Sequence, residues 1–117
     1  MLLQTSTRTL GNALIVDCSG RIVFGDETAF LRNQVKDLLN QSKRIVLNLA
    51  NVNYIDSTGV GTLVGVYASA HSAGGEIKLA ALTGRVKDVL AITKLGSIFE
   101  TFPTAEEAAS SFKPAAG

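Results

Sequence analysis

The chain is poor in the residues that mark several functional classes. It has one cysteine, Cys18, so no internal disulfide can form. That suits a reducing compartment. Cys18 lies in the apolar run 13–19 and reads as a buried structural thiol rather than a reactive one. There is one histidine, His71, far from Cys18, and the carboxylates are dispersed, so no metal site can be assembled and no cofactor is expected. Tryptophan is absent, and the five Phe and two Tyr are scattered rather than laid out for base stacking. Eleven Lys and Arg against ten Asp and Glu give a net charge of +1 with no block of like charge. The basic footprint of a nucleic-acid binder is therefore missing. No apolar run approaches the ~18 residues of a membrane span, so no membrane insertion is expected. Residues 1–9 lack a basic region followed by a long apolar core, so no signal peptide is expected, and the default location is the cytoplasm.

What is present is a folding chain of one-domain size. Its 117 residues are 46% hydrophobic and 18% charged, enough apolar surface for a core without staples. Residues 3–9 and 13–19, separated by Gly11-Asn12, read as an opening hairpin. Residues 21–24 form a short extended piece between Gly20 and Gly25. A first helix starts near Asp26, with Phe30, Leu31, Val35, Leu38 and Leu39 on its apolar stripe. Ile45 to Leu49 is apolar on nearly every residue, as a central strand covered on both faces would be.

A second helix begins around Ser57, with Val60, Leu63, Val64, Tyr67, Ala68 and His71 as its inward stripe and His71 partly buried at the core rim. Gly74-Gly75 ends it. Residues 76–82 alternate as a strand, with Ile77, Leu79 and Ala81 inward and Glu76 and Lys78 outward. A third helix, capped by Thr83, spans about 84–95. Ile98-Phe99 reads as a last short strand. Thr104 and Glu107 have capping-box spacing for a fourth helix, with Ala105, Ala108, Ala109 and Phe112 inward. The pattern predicts an α/β fold: a mixed four- to five-stranded sheet with an antiparallel opening hairpin, packed against about four helices. Residues 1–112 read as one domain and 113–117 as a frayed tail. No repeat or linker interrupts them.

The chemistry concentrates at Tyr54-Ile55-Asp56-Ser57-Thr58-Gly59-Val60-Gly61, where a strand turns into a helix. Backbone N–H groups at a helix start are unpaired and attract negative charge. Ser57 as an enzyme nucleophile fails: His71 lies roughly 20 Å along the helix at ~1.5 Å per residue, and the G-x-S-x-G elbow is missing. Gly59, Gly61 and Gly65 lack the Lys of a phosphate-cradling P-loop. Two readings stay open: Asp56 or Ser57 caps the helix, or Ser57 accepts a phosphate. The two are compatible.

The stretch from Ile45 to Gly61, with its D-S-x-G-x-G core, resembles the signature of STAS domains, and more narrowly that of bacterial anti-sigma factor antagonists. The likeness extends to the hairpin, the Gly20 turn, Leu31-Arg32 and Gly74-Gly75-Glu76-Ile77-Lys78-Leu79. It implies the STAS fold and no catalysis by the chain itself. It implies that Ser57 is phosphorylated by a GHKL-type partner that is both anti-sigma factor and serine kinase, the ATP belonging to that kinase. The unmodified antagonist binds the kinase and frees the sigma factor, phosphorylation releases the antagonist, and a PP2C-type phosphatase resets it. The partner face implied comprises Asp26, Asp56, Ser57, Thr58, Gly59, Val60 and Gly61. The chain departs from the pattern at Val23, which stands where a polar residue is usual, with Asp26 three positions on, and at Asn48, where Asp is frequent. Small STAS proteins also serve as cytoplasmic subunits of lipid-transport ABC assemblies, or in stressosome-type scaffolds, and these are the alternatives.

Overall fold

In the computed structural model, residues 3–94 and 96–112 are described. Strands β1 (Leu3–Leu10) and β2 (Ala13–Ile22) form the antiparallel hairpin. The extended piece expected at 21–24 is no separate strand. β2 runs through Gly20 and holds its pairing with β3 (Arg44–Ile55) by shifting register between Asp17 and Ser19 and again between Gly20 and Arg21. β3, β4 (Glu76–Ala80) and β5 (Thr101–Phe102) continue the sheet in parallel, in the order β1-β2-β3-β4-β5. Helix α1 (Asp26–Leu38) connects β2 to β3, α2 (Ser57–Ser72) connects β3 to β4, and α3 (Gly84–Thr93) follows β4. Because β2, β3 and β4 are parallel, all three helices start at one edge of the sheet. That edge carries the site.

Alternation along the strands divides the core. Ile45, Leu47, Leu49, Val52 and Ile55 of β3 face the layer made by α1, α2 and α3, and pack against Leu31, Val35, Val60, Leu63, Val66 and Leu90. Each such side chain removed from water contributes ~1.5–3 kcal/mol. The opposite face is covered by the short helix α4 (Ala105–Ser110), whose Ala105 and Ala108 meet Ala13, Ile15, Val46 and Ala80. β3 is thus buried on both faces over its first half, as its apolar run predicts.

Three expectations are corrected. The inward face of α2 comprises Gly59, Val60, Thr62, Leu63, Val66 and Ala70, so Ala68 and His71 are exposed rather than in the stripe. His71 stacks on Tyr67 at the surface, with ring centroids 6.3 Å apart. Lys78, expected outward, is buried. The face of β4 it occupies is roofed by the C-terminal segment, where its Nζ donates to Ser111 Oγ at 2.7 Å and lies 4.5 Å from the centre of the Phe112 ring. Ile98-Phe99 is no strand: Gly96–Ile98 is a 3-10 turn, and the pairing residues are Thr101–Phe102. The caps at Thr83 and Thr104 are as expected, accepting from the backbone N–H of Val86 and Glu107. The expected tail at 113–117 and the expected helical Leu95 lie outside the described residues.

Candidate functional site

Ile55 is the last buried residue of β3, and the chain must leave the sheet immediately after it to start α2. Asp56 makes that turn in an extended conformation and is the N-cap. Its carboxylate is used twice. Oδ1 accepts from Gly59 N at 2.7 Å, and Oδ2 accepts from Phe24 N at 3.1 Å, across the loop between β2 and α1. Asp56 N in turn donates to Ile22 O at 3.4 Å. One side chain therefore fastens the start of α2 to the end of β2. The cap is Asp56 and not Ser57, which settles which of the two serves the helix.

Ser57 is the first residue of α2 and is exposed. Among the described residues its hydroxyl has no hydrogen-bond partner. Thr58 beside it is exposed as well, and its carbonyl accepts from Thr62 Oγ1. The next residues diverge in role. Gly59 is buried, and a Cβ there would come within 2.1 Å of Ile22 O and 2.7 Å of Ile55 Cγ1, so only glycine lets α2 sit this close to β2 and β3. Val60 is fully buried in the core. Gly59 and Val60 were expected on the partner face; both point at the sheet instead, because the helix needs a close-packed first turn. Gly61 faces solvent, and a Cβ there would meet nothing within 4 Å. Asp26 is exposed at the first turn of α1, on the same sheet edge.

Two neighbours have no role assigned from the sequence. Phe24, whose N–H the Asp56 carboxylate holds, is 77% exposed. Tyr54, three residues before Ser57, pairs across strands with Arg21, and its ring carries the guanidinium carbons of Arg85 at 4.6 Å and Arg21 at 5.9 Å. The cross-strand pair was hidden by the register shifts of β2. At the far ends of α1 and α2 a cleft of about 540 Å³ lies between Lys36, Leu39, Lys43, Ala68 and Ser72, a helix length from Ser57. Among the described residues no three His, Cys, Asp or Glu side chains gather as metal ligands, and no helix is long and apolar enough to cross a membrane.

A family model described as the STAS domain matches residues 4–108. The chain belongs to the STAS domain family. It is 34% identical over 70 residues to the anti-sigma-B factor antagonist of Bacillus subtilis, an alignment covering 60% of this chain and 64% of that protein. It is 37% identical over 83 residues to the anti-sigma-B factor antagonist of Listeria monocytogenes, covering 67% and 73%. The chain thus spans a little under two thirds of the length of the Bacillus relative. Among solved structures, the anti-sigma factor antagonist SpoIIAA in its unphosphorylated form superposes with a TM-score of 0.74 at 19% identity, over 90% of this chain and 92% of that one. The phosphorylated form gives 0.69 at 18% identity, over 92% and 97%. At such identity these neighbours establish the fold: a five-stranded mixed STAS sheet with an antiparallel first pair.

Proposed function

We propose that this STAS domain is an anti-sigma factor antagonist controlled by phosphorylation of Ser57. The observation that carries the reading is the exposed, unpartnered Ser57 hydroxyl on the first residue of a helix that Asp56 already caps. A kinase can take that hydroxyl without breaking an internal bond. The phosphate adds about −1.5 to −2 charges at neutral pH, in a place where free backbone N–H groups and the helix dipole favour them. The modification is thus compatible with the fold and acts on recognition. The partner is an anti-sigma factor that is also a GHKL-type serine kinase. The unmodified chain binds it and frees the sigma factor, and a PP2C-type phosphatase resets the switch. Asp26, Asp56, Ser57, Thr58 and Gly61 lie on or beside the contact face, with Gly59 and Val60 seating the helix beneath it. The chain itself carries out no turnover. The relatives' printed names, anti-sigma-B factor antagonist, support the role.

The test is incubation with the anti-sigma factor kinase and ATP, followed by mass spectrometry of the digested protein. Phosphate on Ser57 is the expected result. Phosphate confined to Thr58, or none with a kinase active on another substrate, sinks the reading.

A further inference from the structure

Arg21, Tyr54 and Arg85 come from three elements, β2, β3 and α3, and meet at the sheet edge from which α2 starts. Both arginines are exposed. Among the described residues neither has a carboxylate within ion-pair distance, although Asp88 is three residues from Arg85 on the same helix. Arg8, by contrast, is spent on Asp17, with its Nε 2.8 Å from Oδ2. The Tyr54 ring thus gathers two exposed positive charges from separate elements into one patch. Carboxylates of one acidic segment can each take up a free N–H fork of these guanidiniums, whose geometry matches them. The adjoining starts of α2 and α3 add partial positive charge.

We infer that the Arg21–Tyr54–Arg85 cluster is a docking surface for a carboxylate-rich segment of the protein partner. Continuity supplies the link to the switch, for Tyr54 and Ser57 lie on one short stretch of chain. A phosphate on Ser57 would place negative charge beside the seat of the partner's acidic side chains and repel them. This accounts for the direction of the switch, in which the modified form lets go. The inference rests on the Ser57 reading for the identity of the partner as a protein. The titration below uses unmodified protein and needs no kinase, so either can fail alone.

The full chain, labelled with nitrogen-15, is titrated with a short end-blocked Glu/Asp peptide, a Lys peptide of equal length and a single-stranded oligonucleotide. Arginine Nε–Hε and backbone amide signals report where each binds. With the acidic peptide, the Arg21 and Arg85 signals should shift together and saturate, while Arg8 and Arg32 stay in place. Arg21→Gln with Arg85→Gln should weaken that binding by about tenfold or more, and Arg85→Lys by less, since it keeps the charge and loses the fork. Arg85→Gln alone, at an exposed helix position, serves should the double variant misfold. Shifts spread evenly over all basic residues, or binding indifferent to the substitutions, would overturn the inference. So would an oligonucleotide that binds at the same two arginines more tightly than the acidic peptide.

Discussion

Exchanging the glycines of the motif for alanine separates the geometry of the fold from the freedom of its surface. In Gly59→Ala the new methyl lands 2.1 Å from Ile22 O and 2.7 Å from Ile55 Cγ1. The nearer atom is backbone, and it also accepts from Asp56 N, so no side-chain rotation relieves the contact. Overpacking of this kind costs up to about 3 kcal/mol. Alanine recovers about 1 kcal/mol of helix propensity, which leaves a net loss of about 2 kcal/mol. Gly61→Ala meets nothing and keeps the propensity gain, a stabilisation of up to about 1 kcal/mol. For a chain of this size a kilocalorie moves Tm by ~4 °C, so the two variants should differ by about 12 °C. Urea unfolding should show the same order in midpoint with the slope unchanged. A Gly59→Ala variant as stable as Gly61→Ala would refute the close approach of α2 to β2 and β3.

Three further outcomes follow from particular contacts. Asp56→Ala should cost about 1–2 kcal/mol in urea unfolding, and should speed amide exchange at both Gly59 and Phe24, since one carboxylate holds both N–H groups; protection lost at Gly59 alone would contradict the bridge. Burial, with the Asp17 charge beside it, pushes the Cys18 thiol up to about 12 from 9.0, so the native protein should not react with a thiol reagent at pH 8 and should react on denaturation. Because the unfolded thiol ionises first, this group's contribution to stability is present below about pH 9 and lost as pH rises toward 12; prompt native labelling, or no such alkaline loss in a comparison with Cys18→Ala, would contradict it. Lys78→Ala removes a buried stem and a charge-assisted bond to Ser111 and should cost about 2–3 kcal/mol, whereas Lys78→Met keeps the stem and should cost less; equal losses in thermal unfolding would show that the ammonium, not the packing, secures α4.

What the sequence made legible is what local chemistry decides. The caps at Thr83 and Thr104 could be read because a hydroxyl before a helical run has one good use, and the β3–α2 junction because an apolar strand runs into a glycine-rich helix start. The face of α2 is ambiguous in the sequence because Gly, Ala and Ser occur all around it, so two stripes look equally apolar and only the sheet selects Val66 and Ala70 over Ala68 and His71. Lys78 looks outward in the sequence because charge normally marks solvent. Its burial depends on α4 and Phe112 folding back from far along the chain. At the site, Ser57 and Asp56 were visible as a pair, but their division of labour required coordinates. The Arg21–Tyr54 pairing was out of reach, because two register shifts between β2 and β3 leave no trace in residue spacing.

The central claim is that charge at position 57 governs binding while leaving the fold intact. Calorimetric titration of Ser57→Ala and Ser57→Asp against the anti-sigma factor kinase, with nucleotide present and circular dichroism as the folding control, tests it directly. Ser57→Ala removes an exposed hydroxyl that bonds to nothing among the described residues, so it should bind as the unmodified protein does. Ser57→Asp should stay folded and bind at least about a hundredfold more weakly, since an unmatched charge in a complementary interface costs several kcal/mol. Equal affinity of the two folded variants would contradict the account.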